Sequence, residues 1–232
     1  MPGEFFQRSA LLLGDEVMAR AADARVILFG VGGVGSWCAE ALVRSGIGHL
    51  TLVDADIVCA SNVNRQLMAT AATLGQSKTE ALRARLLEIH PDCDITALTA
   101  RYSADSADSF PLENYDFILD CIDSRHDKML LIRRACASGR TFFSSMGAAL
   151  KNDPTQVRVR DFWHVNGDPM ARSLRKQLRR QGFPEQPFLC VCSEEEPDEN
   201  GRRDGVNGSL VTVTAAFGLT MASLVLKALA AR

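Results

Sequence analysis

A glycine-rich turn directly after a short apolar strand is the feature that most restricts how this chain can fold. Residues 26–29 read Val-Ile-Leu-Phe and are followed by four glycines, at Gly30, Gly32, Gly33 and Gly35. Glycine lets a backbone turn sharply and come close to a polyphosphate. A helix beginning near Val34 would point unpaired N–H groups and the positive end of its dipole at that anion. The pattern therefore predicts a nucleotide site.

The remaining sequence alternates strand and helix signals, as expected of a parallel sheet covered by helices. Four further apolar stretches resemble strands, at 50–53, 94–98, 115–121 and 141–144. We therefore predict an α/β, Rossmann-like fold with a mostly parallel central sheet and helices on both faces. The chain has 232 residues, 47% of them hydrophobic, which fits a single domain over 1–232. We expect a helical arm at 1–22 and a flexible loop at about 183–207.

The kind of nucleotide is decided by the residues that follow the second predicted strand. Asp54 ends that strand, about 20 positions after the glycines, where its carboxylate can accept ribose hydroxyls. The same spacing occurs in dinucleotide-binding oxidoreductases. A triphosphate additionally requires Arg, Lys and a metal to neutralise its charge. Arg65 and Lys78 supply such charge, which favours a triphosphate.

Several short motifs together resemble a known family. They are Gly-x-Gly-Gly-x-Gly at 30–35, Asp-x-Asp at 54–56, Ser-Asn-x-x-Arg-Gln at 61–66, Gly-x-x-Lys at 75–78 and Asp-Cys-Ile-Asp at 120–123. This combination resembles the ThiF/MoeB/HesA-like adenylating enzymes related to ubiquitin activation. Over nearly the whole chain, the sequence is most similar to the bacterial tRNA threonylcarbamoyladenosine dehydratases.

The resemblance implies an ATP-dependent, cyclising dehydratase. Such an enzyme adenylates the threonyl carboxylate of threonylcarbamoyladenosine in tRNA and closes a ring, releasing AMP and pyrophosphate. Asp123 matches the residue that holds Mg²⁺, and Arg8 matches an arginine that reaches the ATP of the other protomer of a homodimer. The resemblance thus implies catalytic roles for Arg65, Lys78, Asp123 and Arg8.

The ATP site expected from the motifs contains eleven residues: Gly30, Gly32, Gly33, Gly35, Asp54, Asp56, Asn62, Arg65, Gln66, Lys78 and Asp123. Asp120 could lie beside the phosphates or cap a turn. Two other functions stay open: an adenylating activator of a ubiquitin-like sulfur-carrier protein, and a non-catalytic or NAD-binding module.

A second informative stretch is 170–180, where a helical wheel separates an apolar face from a basic one. The basic residues are Arg172, Arg175, Lys176, Arg179 and Arg180. The net charge is only −2, so contact with nucleic acid must come from a local patch. A basic run is usually only a solvated face. Because the resemblance implies a tRNA substrate, we predict that this face binds tRNA phosphates.

Seven cysteines at irregular spacing suggest reduced thiols in a cytoplasmic protein. The sequence contains no Cys-x-x-Cys pair, so we expect no structural zinc. Cys190 and Cys192 invite comparison with the catalytic cysteine of sulfur-carrier activators. The acidic residues at 194–196 should raise a thiol pKa, so we expect no catalytic thiol there, and the role of the pair stays open.

The final stretch, 208–227, is almost long enough to span a bilayer but is rich in Thr, Ser, Ala and Gly. We predict a buried core and interface helix, no membrane association, and a homodimer. The N-terminus carries Glu4 and Arg8 and lacks a long apolar run, so the cytoplasm is the expected location. Whether a sulfur-relay partner assists cannot be read from the sequence.

Overall fold

The computed structural model describes residues 4–231, and these begin with two short helices. Helix α1 spans Gln7–Leu13 and α2 spans Asp15–Asp23. Gly14 between them has φ of 85°, a left-handed conformation that ends one helix before the next begins. The predicted arm is therefore broken once, and its residues 1–3 lie outside the described residues.

Seven strands form the central sheet, in the order β3-β2-β1-β4-β5-β7-β6. They are β1 Arg25–Phe29, β2 His49–Val53, β3 Asp94–Leu98, β4 Phe117–Asp120, β5 Thr141–Ser145, β6 Val157–Asp161 and β7 Leu189–Ser193. Five of the six pairings are parallel, and β6 runs antiparallel to β7 at one edge. The predicted mostly parallel sheet is confirmed.

Helices cover both faces of this sheet, as predicted. The five longer ones are α3 Gly35–Arg44, α4 Lys78–Leu87, α5 Arg125–Ala137, α6 Pro169–Arg180 and α7 Val211–Ala230. Alternate residues of β1 point to opposite faces. Val26 and Leu28 join a core cluster with α2, α3, α4 and α7, whereas Ile27 and Phe29 join a second cluster with α5 and α6.

The segment 183–207 is not the continuous loop that the sequence predicts. Its residues 189–193 form β7, which lies between β5 and β6, and Val191 is fully buried. A strand covered on both faces has no alternation of apolar and polar residues to mark it. The short run Leu-Cys-Val-Cys was therefore hidden between proline-rich and acidic neighbours. Two short strands, β8 Arg202–Arg203 and β9 Val206–Asn207, pair with each other later in the segment.

The helix α7 packs closely on α3. A Cβ placed on Gly218 would lie 2.4 Å from the Val34 carbonyl oxygen, so only glycine allows this approach. Val213 and Phe217 on the same helix are fully buried. By length and composition α7 could cross a membrane, and half of it is buried inside the structure. Its buried residues belong to the core cluster that includes α3, in agreement with the predicted core helix.

Candidate nucleotide-binding site

The glycine turn lies where β1 meets α3, and packing demands glycine at two of its positions. Gly30 has φ of 84°, and a Cβ there would lie 2.7 Å from the carbonyl oxygen of Cys121, just after β4. A Cβ on Gly35 would lie 1.9 Å from the Gly30 carbonyl oxygen. A Cβ on Gly32 would meet no atom closer than 3.8 Å, so this position has room for a side chain. No side chain caps the start of α3 at Val34, and of its first N–H groups that of Ser36 donates to the Gly32 carbonyl oxygen at 3.1 Å.

Asp54, at the end of β2, holds the glycine turn in place. Its carboxylate accepts hydrogen bonds from the N–H groups of Val31 at 2.8 Å and Asp56 at 2.9 Å. Burial raises the pKa of the Asp54 carboxyl above its ordinary value, although both N–H donors and nearby Lys78 act in the opposite direction. Each carboxylate oxygen can accept more than one hydrogen bond, so the ribose contact predicted from the sequence stays a prediction.

Lys78 begins α4, and its ammonium donates a 2.6 Å hydrogen bond to the Asp56 carboxylate. The lysine is almost completely buried, whereas Asp56 is largely exposed. The Ser77 side chain does not cap the start of α4, and its hydroxyl contacts the Thr99 hydroxyl at 2.7 Å. The two predicted residues Asp56 and Lys78 therefore meet as an ion pair beside the end of β2.

The stretch 61–66 brings Arg65 against the glycine turn. A Cβ placed on Gly33 would lie 3.3 Å from Arg65 Cγ, and the Arg65 guanidinium donates to the Ser61 carbonyl at 2.8 Å. Asn62 is buried, and its side-chain oxygen accepts from the Cys59 N–H. Gln66 is also buried, and its side-chain oxygen has no hydrogen-bond partner. A buried amide without a partner is unusual, and it lies beside Gly32.

The end of β4 separates the roles of the two aspartates in the motif 120–123. Asp120 is fully buried, forms an ion pair with Lys128 at 2.7 Å, and accepts a hydrogen bond from the Ile122 N–H. Of the two roles left open by the sequence, Asp120 therefore takes that of a turn cap. Asp123 is exposed. This places it, unlike Asp120, where a solvated ligand can reach it.

Two charged residues near this edge were missed by reasoning from sequence. Arg101, after β3, donates to the Asp127 carboxylate at 2.7 Å and 3.1 Å. These hydrogen bonds raise the pKa of Arg101, and the charges of Asp56 and Asp123 add to the effect. Arg101 and Asp127 are 26 residues apart, and no local spacing signals their contact.

The basic helix α6 divides into residues that serve the fold and residues that do not. Arg175 donates to the carbonyls of Phe162 and Val165, both at 2.8 Å. Arg179 pairs with Glu185 at 2.6 Å. Arg179 has an exposed side chain, as do the other three basic residues predicted to bind tRNA, which are Arg172, Lys176 and Arg180.

Cys190 and Cys192 are buried in β7. The neighbouring Cys192 thiol, together with burial, raises the pKa of Cys190. For Cys192 the Cys190 thiol acts to lower the pKa, whereas burial and the charge of Asp168 act to raise it. Within residues 4–231, no group of three or more His, Cys, Asp or Glu side chains is arranged to hold a metal ion.

Arg8 lies in α1 with an exposed side chain, and the surrounding arm exposes apolar residues. Phe5, Leu11 and Leu12 are 73%, 83% and 84% exposed. Three large apolar side chains on one short segment are more than scattered surface residues usually provide. The arm therefore presents Arg8 next to a surface suited to contact with another protein.

The strand order reverses between β1 and β4, with β2 and β3 on one side and β5 on the other. Open α/β sheets bind their ligands at such a reversal, beyond the carboxyl ends of the strands. Gly30 and Cys121 meet at this point, and the charged groups described above surround it. The fold and this edge of the sheet define a nucleotide-binding α/β protein.

The chain belongs to the ThiF family, whose model matches residues 6–232. It is 38% identical to the tRNA threonylcarbamoyladenosine dehydratase of Bacillus subtilis, over 83% of this chain and 75% of the relative. The Escherichia coli dehydratase is 33% identical, over 98% and 94%. A molybdopterin-synthase adenylyltransferase from Salmonella typhimurium is 33% identical, over 80% and 71%.

Solved structures give the same result. The crystal structure of the Escherichia coli dehydratase TcdA in complex with AMP has a TM-score of 0.92 at 34% identity, covering 98% of this chain and 94% of that chain. The same enzyme has also been solved in complex with ATP. The resemblance to this family that the motifs predict is confirmed.

Proposed function

We propose that this protein is an ATP-dependent dehydratase acting on threonylcarbamoyladenosine in tRNA. The observation that carries the proposal is similarity to named dehydratases over almost the whole chain, together with a glycine turn and paired charges at the edge of the sheet. The chain is a single adenylation domain in which the threonyl carboxylate becomes an acyl-adenylate.

The reaction needs no nucleophile from the protein. A carboxylate oxygen of the threonyl group attacks the α-phosphorus of ATP, the bond to the bridging oxygen breaks, and pyrophosphate leaves. A nucleophile within the same modified side chain then attacks the activated carbonyl carbon, closing the ring and releasing AMP. Arg65, Lys78 and the N–H groups of the glycine turn stabilise the negative charge that develops at phosphorus.

Magnesium is proposed to be held by Asp123. Mg²⁺ bound with a nucleotide commonly uses one or two carboxylates plus phosphate oxygens, so a single exposed carboxylate is a sufficient protein contribution. Asp123 is exposed, whereas the neighbouring Asp127 is buried and bonded to Arg101. When bound, the ion would neutralise charge as pyrophosphate leaves.

The tRNA is proposed to contact the exposed basic row on α6. Arg172, Lys176 and Arg180 are spaced four residues apart, so they lie along one side of the helix. Neighbours in this row are about 6 Å apart along the axis, from the 1.5 Å rise per residue. Arg175 instead donates to two carbonyls of the fold, and the exposed Arg179 is paired with Glu185. Such contacts position an RNA without reading its sequence.

A homodimer is proposed to complete the site. The exposed apolar residues of the arm, Leu11 and Leu12 among them, would be covered by a second copy, and Arg8 would reach the ATP of the other protomer. A tRNA substrate supports the proposed cytoplasmic location. A sulfur-relay or carrier protein is proposed as an additional partner.

The competing function is activation of the C-terminus of a ubiquitin-like sulfur-carrier protein, which the similarity to molybdopterin-synthase adenylyltransferase favours. That function predicts ATP–pyrophosphate exchange that depends on the carrier protein. The proposed function predicts release of AMP only with the modified tRNA. An NAD-binding module would bind NAD in preference to ATP and release no pyrophosphate.

The deciding experiment incubates the protein with ATP, Mg²⁺ and tRNA that carries threonylcarbamoyladenosine. Mass spectrometry of the digested tRNA should show loss of one water from that nucleoside, with one AMP released per conversion. Reactions without ATP, or with tRNA lacking the modification, are the controls. Unchanged nucleoside, combined with exchange stimulated by a carrier protein, would reject the proposal.

A further inference from the structure

A buried ion pair lies below the carboxyl edge of the sheet, between two segments of the proposed site. Lys128 Nζ donates to Asp120 Oδ2 at 2.7 Å, and both side chains are fully buried. The Ser144 hydroxyl donates to the same Asp120 oxygen at 2.6 Å. Lys128 Nζ also donates to the Ser145 carbonyl oxygen at 2.9 Å. The pair thus joins the end of β4 to the end of β5.

The same pair encloses the loop that carries Asp123. Asp120 precedes this loop, and its second carboxylate oxygen accepts from the Ile122 N–H at 3.1 Å. Lys128 follows the loop in α5, and its backbone N–H donates to the Ser124 carbonyl at 2.9 Å. The loop 121–124 is therefore fixed at both ends by residues that bond to each other.

The bonds at β5 lead into a turn of small residues, 145–149. The Gly147 N–H in that turn donates to Asp168, the N-cap of α6, at 3.2 Å. A second buried lysine, Lys151, lies 3.7 Å from the same Asp168 carboxylate. The turn is thus held on one side by the Lys128 pair and on the other by the start of the basic helix.

A buried ion pair is a poor device for stability alone. Removing two charges from water costs several kcal/mol per ion, and well-packed apolar residues of similar volume often serve as well or better. Lys128 nevertheless makes three contacts in this cluster, with Asp120, Ser144 and Ser145. Directional bonds of this kind specify where the joined segments lie, which an apolar contact does less sharply.

We propose that Lys128 and Asp120 are positioning residues that keep the Asp123 loop and the turn 145–149 in one relative placement. This inference rests on the proposed function, in which Asp123 holds the metal of the nucleotide. Neither residue of the pair touches the reactants. Its removal should therefore affect the metal-bound triphosphate and leave the binding of a metal-free nucleotide intact.

The test replaces the pair by apolar residues of similar size, Asp120→Leu with Lys128→Met. The double substitution avoids a buried unpaired charge, so we expect it to fold with a melting temperature close to that of the parent. Calorimetry should give an AMP affinity in EDTA within about twofold of the parent. The gain in ATP affinity on adding Mg²⁺ should fall at least about tenfold. A folded double variant that keeps the full gain would overturn the inference.

Two further variants keep the test decisive. Ser144→Ala removes one hydrogen bond to Asp120 without removing a charge, and it should reduce the Mg²⁺-dependent gain about threefold. If the double variant does not fold, an unchanged gain in Ser144→Ala overturns the inference. The matched control is Glu40→Gln, because Glu40 is a buried carboxylate on α3 that pairs with Arg44 and Arg85. It should lower stability and leave the gain unchanged.

These readouts use no tRNA. Failure of the proposed function would appear as a parent protein that binds ATP with Mg²⁺ but leaves threonylcarbamoyladenosine unchanged. Failure of the positioning role would appear as the full Mg²⁺-dependent gain in variants of the pair, whatever the tRNA result. The two failures are therefore distinguishable.

Discussion

The ammonium of Lys78 is held 2.6 Å from the carboxylate of Asp56, so the first turn of α4 presents a nearly buried cation beside the end of β2. A helix N-terminus disfavours a positive side chain. The negative charge of the Asp56 carboxylate offsets this unfavourable interaction, because it lies next to the ammonium of Lys78. The pair therefore holds Lys78 at the edge of the sheet where we propose that its charge stabilises the phosphates of ATP.

Lys78→Met should lower turnover about 100-fold, the cost of removing one group that stabilises transition-state charge. Steady-state rates with ATP and modified tRNA measure the effect. Glu80→Gln, an exposed change in the same turn of α4, is the control and should leave the rate unchanged. Equal rates for Lys78→Met and the parent would remove Lys78 from the mechanism.

Gly35→Ala should destabilise the protein by about 3 kcal/mol or more, because its Cβ would lie 1.9 Å from the Gly30 carbonyl. In the same turn, the Cβ introduced by Gly32→Ala would meet no atom nearer than 3.8 Å, so this variant should fold normally. Urea unfolding of the two variants gives the comparison. Similar midpoints for both would contradict the described packing of the turn.

Native protein treated with iodoacetamide near pH 8 should be labelled first at Cys59, the exposed cysteine among residues 4–231. Burial raises the pKa of Cys93 and Cys121 to about 12, so these thiols stay protonated and react slowly. Peptide mapping by mass spectrometry identifies the labelled site.

Cys192→Ala should retain at least half of the parent turnover, because the proposed chemistry uses no thiol of the protein. The residue is buried in β7, where an external acyl group cannot readily reach its thiol. Cys59→Ala is the control for an exposed thiol. Complete loss of turnover in a correctly folded Cys192→Ala protein would favour the carrier-protein activator.

Lys176→Ala should weaken tRNA binding and reduce the dependence of log affinity on log salt by about one unit, without changing the melting temperature. Arg175→Ala should leave the salt dependence of tRNA binding unchanged. It should lower the free energy of unfolding by about 2 kcal/mol, since it removes two hydrogen bonds to buried carbonyls. Filter binding at several salt concentrations and thermal unfolding separate the two effects. A salt slope unchanged in Lys176→Ala would place the tRNA elsewhere.

Leu11→Glu with Leu12→Glu should convert the proposed homodimer to a monomer and lower turnover, because Arg8 would no longer reach a second protomer. Light scattering after gel filtration measures the mass, and the tRNA assay measures the rate. Asp105→Lys, at an exposed residue between β3 and β4, is the control. A parent protein that is already monomeric, with full activity, would contradict the role proposed for Arg8.

The fold could be predicted because its strongest constraints are local. The glycine turn, the apolar runs of β1 and β4, and the alternation of strands with helices are all visible in short windows of sequence. The strand β7 was missed for a physical reason: it is buried on both faces, so its residues show no alternation of apolar and polar side chains, and its apolar run lies between proline-rich and acidic neighbours.

The candidate site was predictable as a set of residues but not as a set of contacts. Spacing placed Asp54 and Asp123 at strand ends, yet it did not show that Asp54 holds the Val31 N–H. Burial of Asp120 with Lys128 depends on β5, which lies outside the local window. Likewise, helical spacing counted Arg175 among the free cations, although the carbonyls of Phe162 and Val165, in and just after the preceding 3₁₀ turn, are its partners.

The close approach at Gly218 ties the first part of the chain to the last. During synthesis, the glycine turn and α3 leave the ribosome long before α7, whose Val213 and Phe217 complete the core around them. Until α7 arrives, the nascent N-terminal half exposes an uncovered apolar face. Competence to hold a nucleotide is thereby delayed until α7 has been made, and a chain terminated before α7 exposes the apolar surface by which chaperones and proteases select their clients.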